Sequence, residues 1–221
     1  MLTTTAAPFE TRNEGRYSPG EELANAVTHG TGALLSIAAL VLLVLAAAGA
    51  GDALAVASYA VFGASLVLLF TMSTLYHSMR APRAKRVFEV LDHASIYVLI
   101  AGTYTAISLG ILRGAAGWTL FGLSWALAAG GIVFKALCID RFRIASTVGY
   151  VLMGWLVAPF IGAARAAMGE TAFSFLIAGG LAYTLGAVLY SLKGLRWMHA
   201  VWHLFVLAGA GLHVAAALAA L

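Results

Sequence analysis

The sequence predicts an all-α protein: a seven-transmembrane helix bundle with its amino terminus in the cytoplasm and its carboxyl terminus outside. Three observations carry this expectation. The 221 residues are 62% hydrophobic and only 10% charged. They divide into runs of roughly 20 apolar residues, the length that spans a bilayer as helix. The charges that remain fall in short breaks between the runs, and the basic ones are unevenly shared. Arg12, Arg16, Arg80, Arg83, Lys85, Arg86, Lys135, Arg141, Arg143, Lys193 and Arg196 fall on one side, and Arg113 and Arg165 on the other, eleven against two. Basic residues are retained in the cytoplasm, which fixes the orientation.

The elements follow from those breaks. Residues 1–22 form a polar cytoplasmic tail and residues 23–221 the transmembrane domain. The tail has no apolar centre and is not a signal peptide. Ser18-Pro19-Gly20-Glu21 has the pattern of a capping box with proline at the first helical position, so a helix starts there. Cutting at charges and turns gives spans at 23–48, 53–79, 88–111, 116–137, 144–164, 171–192 and 197–219. Every connection is short, which favours one bundle. Gly149 with Gly154, Gly179-Gly180 and Gly209 with Gly211 read as sites of close helix approach. Trp118, Trp125, Trp155, Trp197 and Trp202 fall mostly near span ends and read as anchors at the membrane interface. Cys138 is the single cysteine, so no internal disulfide forms. The net charge of +4 sits on the side that faces anionic lipid. That placement makes membrane lipids the partner, excludes a nucleic-acid role, and puts the chain in the cell (inner) membrane as a multi-pass protein. Nothing in the sequence specifies an oligomeric state.

Against this apolar background the ionisable groups within the spans stand out, because such groups are costly in lipid. His77 lies three residues before Arg80, Asp92 six residues after Arg86, and His199 and His203 three and seven residues after Arg196. At the helical rise all four fall roughly 5–10 Å inside the cytoplasmic boundary. His199 and His203, at i and i+4, share a helix face, as do Ser73 and His77. Three imidazoles with a fourth position left to water are the ligand pattern of a catalytic zinc site. Zinc would lower the pKa of that water towards about 7. Asp92 could hold the water or act as general base. Ser73 could hydrogen-bond the water, a ligand histidine or a developing oxyanion. The alternative is ordinary interhelical hydrogen bonding. The residue after His199 is Ala200, so the H-E-x-x-H pattern of metalloproteases is missing.

The same residues carry a family resemblance. Ser73-Thr-Leu-Tyr-His77, Leu91-Asp92-His-Ala-Ser95 and His199-Ala-Val-Trp-His203 running on to His213 resemble the three motifs of the progestin and adipoQ receptor superfamily. The stretch Glu22-Leu-Ala-Asn-Ala-Val-Thr-His29-Gly-Thr-Gly is similar to its bacterial hemolysin III branch. The resemblance covers nearly the whole chain after residue 20. It implies seven helices and zinc held by His77, His199 and His203. It also implies that Asp92 contacts zinc through water, as in adiponectin receptors, and that lipid amide hydrolysis of the ceramidase kind is a plausible chemistry. His93 stands where adiponectin receptors have tyrosine, and it should point about 100° away from Asp92 as a supporting or packing residue. His29 could line the same cavity, although helix packing is the simpler role. His213, about 15 Å further along its helix than His203, is too distant for the same ion and should bond a neighbouring helix.

Three functions follow. The first is a zinc-dependent hydrolase of a lipid amide or ester, involved in membrane-lipid homeostasis, with Asp92 and Ser73 as catalytic residues, His77, His199 and His203 as metal ligands and Zn2+ as cofactor. The second is a receptor or sensor with structural zinc, Asp92 closing the shell. The third is a hemolysin-type pore-forming protein. The third has little support, because a single-chain pore needs a polar stripe along whole helices and the first, fourth, fifth and sixth spans offer almost none.

Overall fold

A computed structural model describes residues 17–138, 142–191 and 196–221. The first sixteen residues of the expected tail, with Arg12 and Arg16, lie outside the described residues, as do Arg141 and Lys193. The described chain is all-helical. The helices are α1 (Pro19–Gly49), α2 (Ala53–Ser78), α3 (Pro82–Thr105), α4 (Gly114–Cys138), α5 (Arg143–Gly154), α6 (Ile161–Ser191) and α7 (Met198–Ala219). Six helical runs are long and apolar enough to cross a membrane, with Ile144–Ser191 counted as one run.

Helix starts obey local chemistry. The Ser18 hydroxyl accepts from Glu21 N and the Glu21 carboxylate accepts from Ser18 N, with Pro19 in the first turn, so α1 begins at the box read in the sequence. Asp52 caps α2 by accepting from Leu54 N and Ala55 N, both at 3.1 Å, and pairs with Arg113 across the same end of the bundle. α3 passes into a wider helical turn over Ala106–Leu112 before α4.

The stretch expected as two clean spans, 144–164 and 171–192, is built differently. α5 ends after 12 residues. A short 3-10 turn at Ala158–Phe160 precedes α6. Pro159 lacks an N–H and its ring crowds the preceding carbonyls, so a regular helix cannot continue there. The helix then resumes through the expected loop as far as Gly169, which leaves helical geometry at φ 74° and ψ 168°. Glycine occupies this left-handed region without a Cβ clash.

α1, α2, α3 and α7 share the main core, with Tyr59, Phe62, Leu66, Phe70, Leu99 and Val206 buried in it. Small residues set the close approaches. A Cβ on Gly63 would lie 2.8 Å from Leu40 Cα, where α1 crosses α2. One on Gly32 would lie 2.6 Å from Phe70 and 2.8 Å from Leu207, where α1, α2 and α7 meet. Trp118 and Trp197 are exposed, as anchors should be. Trp125 and Trp155 correct the expectation. Their indole N–H groups donate to Thr105 Oγ1 at 2.9 Å and Thr184 Oγ1 at 3.0 Å, so they tie helices together. An indole N–H buried in an apolar bundle needs such an acceptor.

One end of the bundle therefore gathers the start of α1, the end of α2, the start of α3 and the start of α7. Trp197 N–H donates to the Glu21 carboxylate at 2.8 Å, which pins the entry of α7 against the entry of α1.

Candidate metal centre

The first turns of α7 and the last turn of α2 bring three imidazoles together. His199 Nε2 lies 3.1 Å from His77 Nε2 and 3.1 Å from His203 Nε2. Ligand-type nitrogens of all three lie within 4.8 Å of one another. For comparison, two nitrogens on a tetrahedral zinc with bonds of 2.0–2.1 Å would be separated by roughly 3.3 Å. His77 and His203 are buried, at 4% and 1% exposure. Among the described residues this grouping holds three histidines and no carboxylate.

The groups behind the rings decide which nitrogens carry protons. His77 Nδ1 is 2.6 Å from Glu22 Oε2, and a carboxylate only accepts, so Nδ1 carries the hydrogen and Nε2 is left with a bare lone pair. His203 Nδ1 is 3.2 Å from the Asn25 carbonyl oxygen, which again only accepts, and 3.2 Å from Thr28 Oγ1. Its Nε2 is therefore also bare. Two lone pairs thus point at His199 Nε2, which has one proton at most in the neutral ring. A cation between the three nitrogens relieves the repulsion that remains. Histidines that ligate metals characteristically donate their other N–H to a carboxylate or backbone carbonyl, as His77 and His203 do here. The donor set fits a divalent ion of zinc type.

Glu22 has a second partner. Lys85 Nζ donates to Glu22 Oε1 at 2.7 Å and lies 3.4 Å from the Tyr76 carbonyl, at the exposed end of α2. Tyr17 and Tyr190 pack on His199, with ring centroids at 4.8 and 5.6 Å.

Beside the imidazoles lies a cavity of about 150 Å³ whose wall includes His199, His203, Ser73 and Asp92 at its polar end and Val157 and Leu176 among its apolar residues. Asp92 and Ser73 are buried at 8% and 1% exposure. The Ser73 side chain faces the Asp92 carboxyl, but its Oγ makes no hydrogen bond of good geometry among the described residues. Asp92 thus stands in the cavity wall outside the ring of nitrogens.

The remaining histidines divide. His29 lines the cavity and stacks on His203, with centroids 3.4 Å apart and planes within 8°, so its place is more specific than helix packing. His93 Nδ1 bonds the Glu89 carbonyl at 2.8 Å and its own carbonyl accepts from the Tyr150 hydroxyl, a supporting role. His213 Nε2 donates to the Leu176 carbonyl at 3.2 Å, the bond between α7 and α6 expected of it.

The sequence reasoning missed the residues behind the ligands. Glu22, Asn25 and Thr28, each three residues on from the last, were legible together with the already noted His29 as a polar stripe at helical spacing on α1. Lys135, read in the sequence only for its side of the membrane, is buried at 2% and lines the cavity. Its position continues the buried face of Gly117, Leu120, Ser124 and Ala128 on α4, the signal that pointed inward.

Comparison with known proteins places the chain. The model of the family described as haemolysin-III related matches residues 17–214. The chain belongs to the haemolysin-III family. It is 47% identical to Hemolysin-3 of Bacillus cereus over 192 residues, 87% of this chain and 88% of that protein. It is 47% identical to the Hemolysin-3 homolog of Bacillus subtilis over 86% of this chain and 89% of that one. It is also similar to the human monocyte to macrophage differentiation factor, at 29% identity over 90% and 84% of the two chains. This distant likeness agrees with the superfamily resemblance of the motifs. Haemolysin-III membership and the helical runs make this chain a multi-helix membrane protein.

Proposed function

We propose that this haemolysin-III protein is a zinc-dependent membrane hydrolase that cleaves a lipid amide or ester and so adjusts membrane-lipid composition. The observation that carries the proposal is the convergence of His77, His199 and His203 beside a largely apolar cavity whose polar end holds Asp92 and Ser73. His77, His199 and His203 would hold the ion. When bound, zinc supplies Lewis acidity for a carbonyl oxygen and makes water a nucleophile near neutral pH. Glu22 and the Asn25 carbonyl hold the His77 and His203 rings with Nε2 bare and aimed inward. Asp92 accepts the proton of the attacking water as general base and returns it to the leaving amine or alcohol. The Ser73 hydroxyl, which faces the Asp92 carboxyl in the cavity wall, donates to the developing oxyanion. The apolar wall takes the acyl chain and excludes bulk water.

The proposal includes seven crossings with a cytoplasmic amino terminus. The 48-residue run Ile144–Ser191 would be about 72 Å long as a straight helix, more than twice the roughly 30 Å hydrocarbon core. Its break at Gly169 supports two passes. The cluster of Arg80, between α2 and α3, with Arg83, Lys85 and Arg86 in the first turns of α3, at the same end as Arg196, supports that end as the inner-membrane cytoplasmic face.

The test is purified protein in lipid nanodiscs, offered panels of ceramides, simple fatty amides and phospholipids, with and without a zinc chelator. Chelator-sensitive release of fatty acid is expected. Metal binding without turnover on any panel would overturn the hydrolase and leave the sensor reading, with the ion tying α2 to α7.

A further inference from the structure

Among the described residues Lys135 is the one lysine or arginine that lines the cavity, and the hydrolase reading gives it no task. α3 starts at the end of the bundle that carries the three histidines, and α4 returns to that end. Lys135, three residues before the last residue of α4, therefore lies about one turn inside it. A lysine so placed ordinarily runs its stem to the interface and keeps its ammonium in water. Lys135 does not. It is 2% exposed, and its Nζ lies 5.9 Å from the ring centroid of Tyr150 on α5, at the outer limit of a cation–π contact. Holding a cation inside when water is one turn away is costly unless negative charge meets it there. Glu89 in the same wall is engaged by Arg86 at 3.0 Å, so those two charges offset each other. The start of α5 adds to the positive field. Phe142 precedes Arg143 and has no side chain able to cap, and Ser146 and Thr147 in the first turns line the cavity.

We infer that Lys135 anchors a second binding site in the cavity, one that takes the phosphodiester of a phospholipid from the adjacent leaflet, with an acyl chain along the apolar wall. An ammonium has three donors and no acceptor, so it selects an anion over a hydroxyl, an amide or a neutral carbonyl. The choice among lipid anions follows from burial. A fatty-acid carboxyl leaving water sheds its charge by taking up a proton and needs no buried cation. A phosphodiester stays ionised and carries its charge in. That charge is single, as is the one ammonium. Depth agrees, because one turn inside the helix ends is where head groups meet the acyl region. The site stands apart from the metal: α4 contributes nothing to the grouping of His77, His199 and His203.

The experiment reads binding, so it is independent of turnover. Holoprotein in an uncharged detergent is titrated with methyl dodecyl phosphate, dodecanol, dodecanoate and dimethyl phosphate, each with and without a zinc chelator. Native mass spectrometry counts bound probe and bound metal together. The wild type should prefer methyl dodecyl phosphate to dodecanol by at least about tenfold, the worth of one charge-assisted hydrogen bond in a dry site. The preference should survive removal of the metal. Lys135→Met, which keeps the stem and drops the charge, should abolish it with metal content unchanged. Equal affinity of the wild type for both probes would overturn the proposal, as would an undiminished preference in K135M. A preference that vanishes with the chelator would place the phosphate on the three histidines and overturn it too. Dodecanoate bound as tightly as the phosphodiester would assign the site to a fatty-acid head. Dimethyl phosphate bound as tightly would make the ligand a free phosphate, and either result removes the phospholipid. If K135M fails to fold, Thr147→Asp decides, because it sets a carboxylate on the same wall: the preference should fall there, and its persistence would sink the site. A phosphodiester preference without hydrolysis of any lipid would overturn the hydrolase and leave this site standing.

Discussion

Glu22 offers the sharpest test of the centre, because it touches a proposed ligand without being one. Its carboxylate receives the His77 Nδ1 hydrogen at 2.6 Å on one oxygen and the Lys85 ammonium at 2.7 Å on the other. It fixes the ring's orientation, keeps Nε2 bare and adds negative charge behind the ligand. Loss of such an outer partner typically weakens metal binding about 10- to 100-fold, or roughly 1.4–2.7 kcal/mol. Glu22→Gln keeps an acceptor for Nδ1 but loses the charge, and belongs near tenfold. Glu22→Ala leaves Nδ1 facing the Asn25 amide NH2 at 3.5 Å, a donor, which moves the ring proton to Nε2, so it belongs near the upper limit. The Lys85 pair is partly exposed, at 16% and 21% for its side chains, and contributes at most about 1 kcal/mol to folding. Affinity should therefore fall by more than metal-free stability does. Metal-stripped protein titrated with zinc against a fluorescent chelator gives the first quantity, and thermal unfolding with chelator present gives the second. Wild-type zinc affinity in both variants would refute the convergence of His77 Nε2 on a metal.

Four further outcomes follow from the same geometry. His203→Ala removes a ligand from the grouping and should drop metal content, measured by elemental analysis of purified protein, to background. Asp92→Asn should retain the metal yet lose about 100-fold or more in lipid hydrolysis, the usual contribution of a general base; undiminished fatty-acid release would remove Asp92 from the chemistry. Gly102→Ala places a Cβ 2.7 Å from Ser65 Cβ between α2 and α3 and should destabilise by about 1–3 kcal/mol in a detergent melt, with metal content intact. In a Cys138→Ser background, Arg83→Cys should react with an impermeant thiol reagent from the cytoplasmic face and Arg165→Cys from the other, and labelling of both from one side would break the seven-crossing topology.

Sequence and structure agree where one physical rule dominates. Helical spans follow from the absence of bulk water around the backbone, and the α1 start from a two-residue hydrogen-bonding pattern at Ser18 and Glu21. The three histidines were legible together because charge placement set depth and the i, i+4 spacing set facing. What stayed hidden depended on contacts between distant segments. No local rule says that Glu22 on α1 reaches His77 on α2, or that Asn25 offers its carbonyl to His203 on α7. The burial of Lys135 stayed hidden because its charge was counted for topology before its place on the buried face of α4 was considered.

The arrangement also explains why so polar a cluster is tolerable in an apolar bundle. Two of the three proposed ligands have their outward nitrogen satisfied by α1, His77 through Glu22 and His203 through the Asn25 carbonyl. α1 supplies no ligand, yet it determines which nitrogen of each ring is free. Pinning of the α7 entry by Trp197 and Glu21 keeps His199 in register with those contacts. The centre is therefore a property of three helices, and displacement of α1 would release the tautomers of His77 and His203 together. Damage at Glu22 should accordingly be felt at His203 as well as at His77, so the loss of zinc affinity in a Glu22→Ala, Thr28→Val pair, which removes a side-chain partner from His77 Nδ1 and from His203 Nδ1, should depart from the sum of the single losses, as it does for residues that share one network.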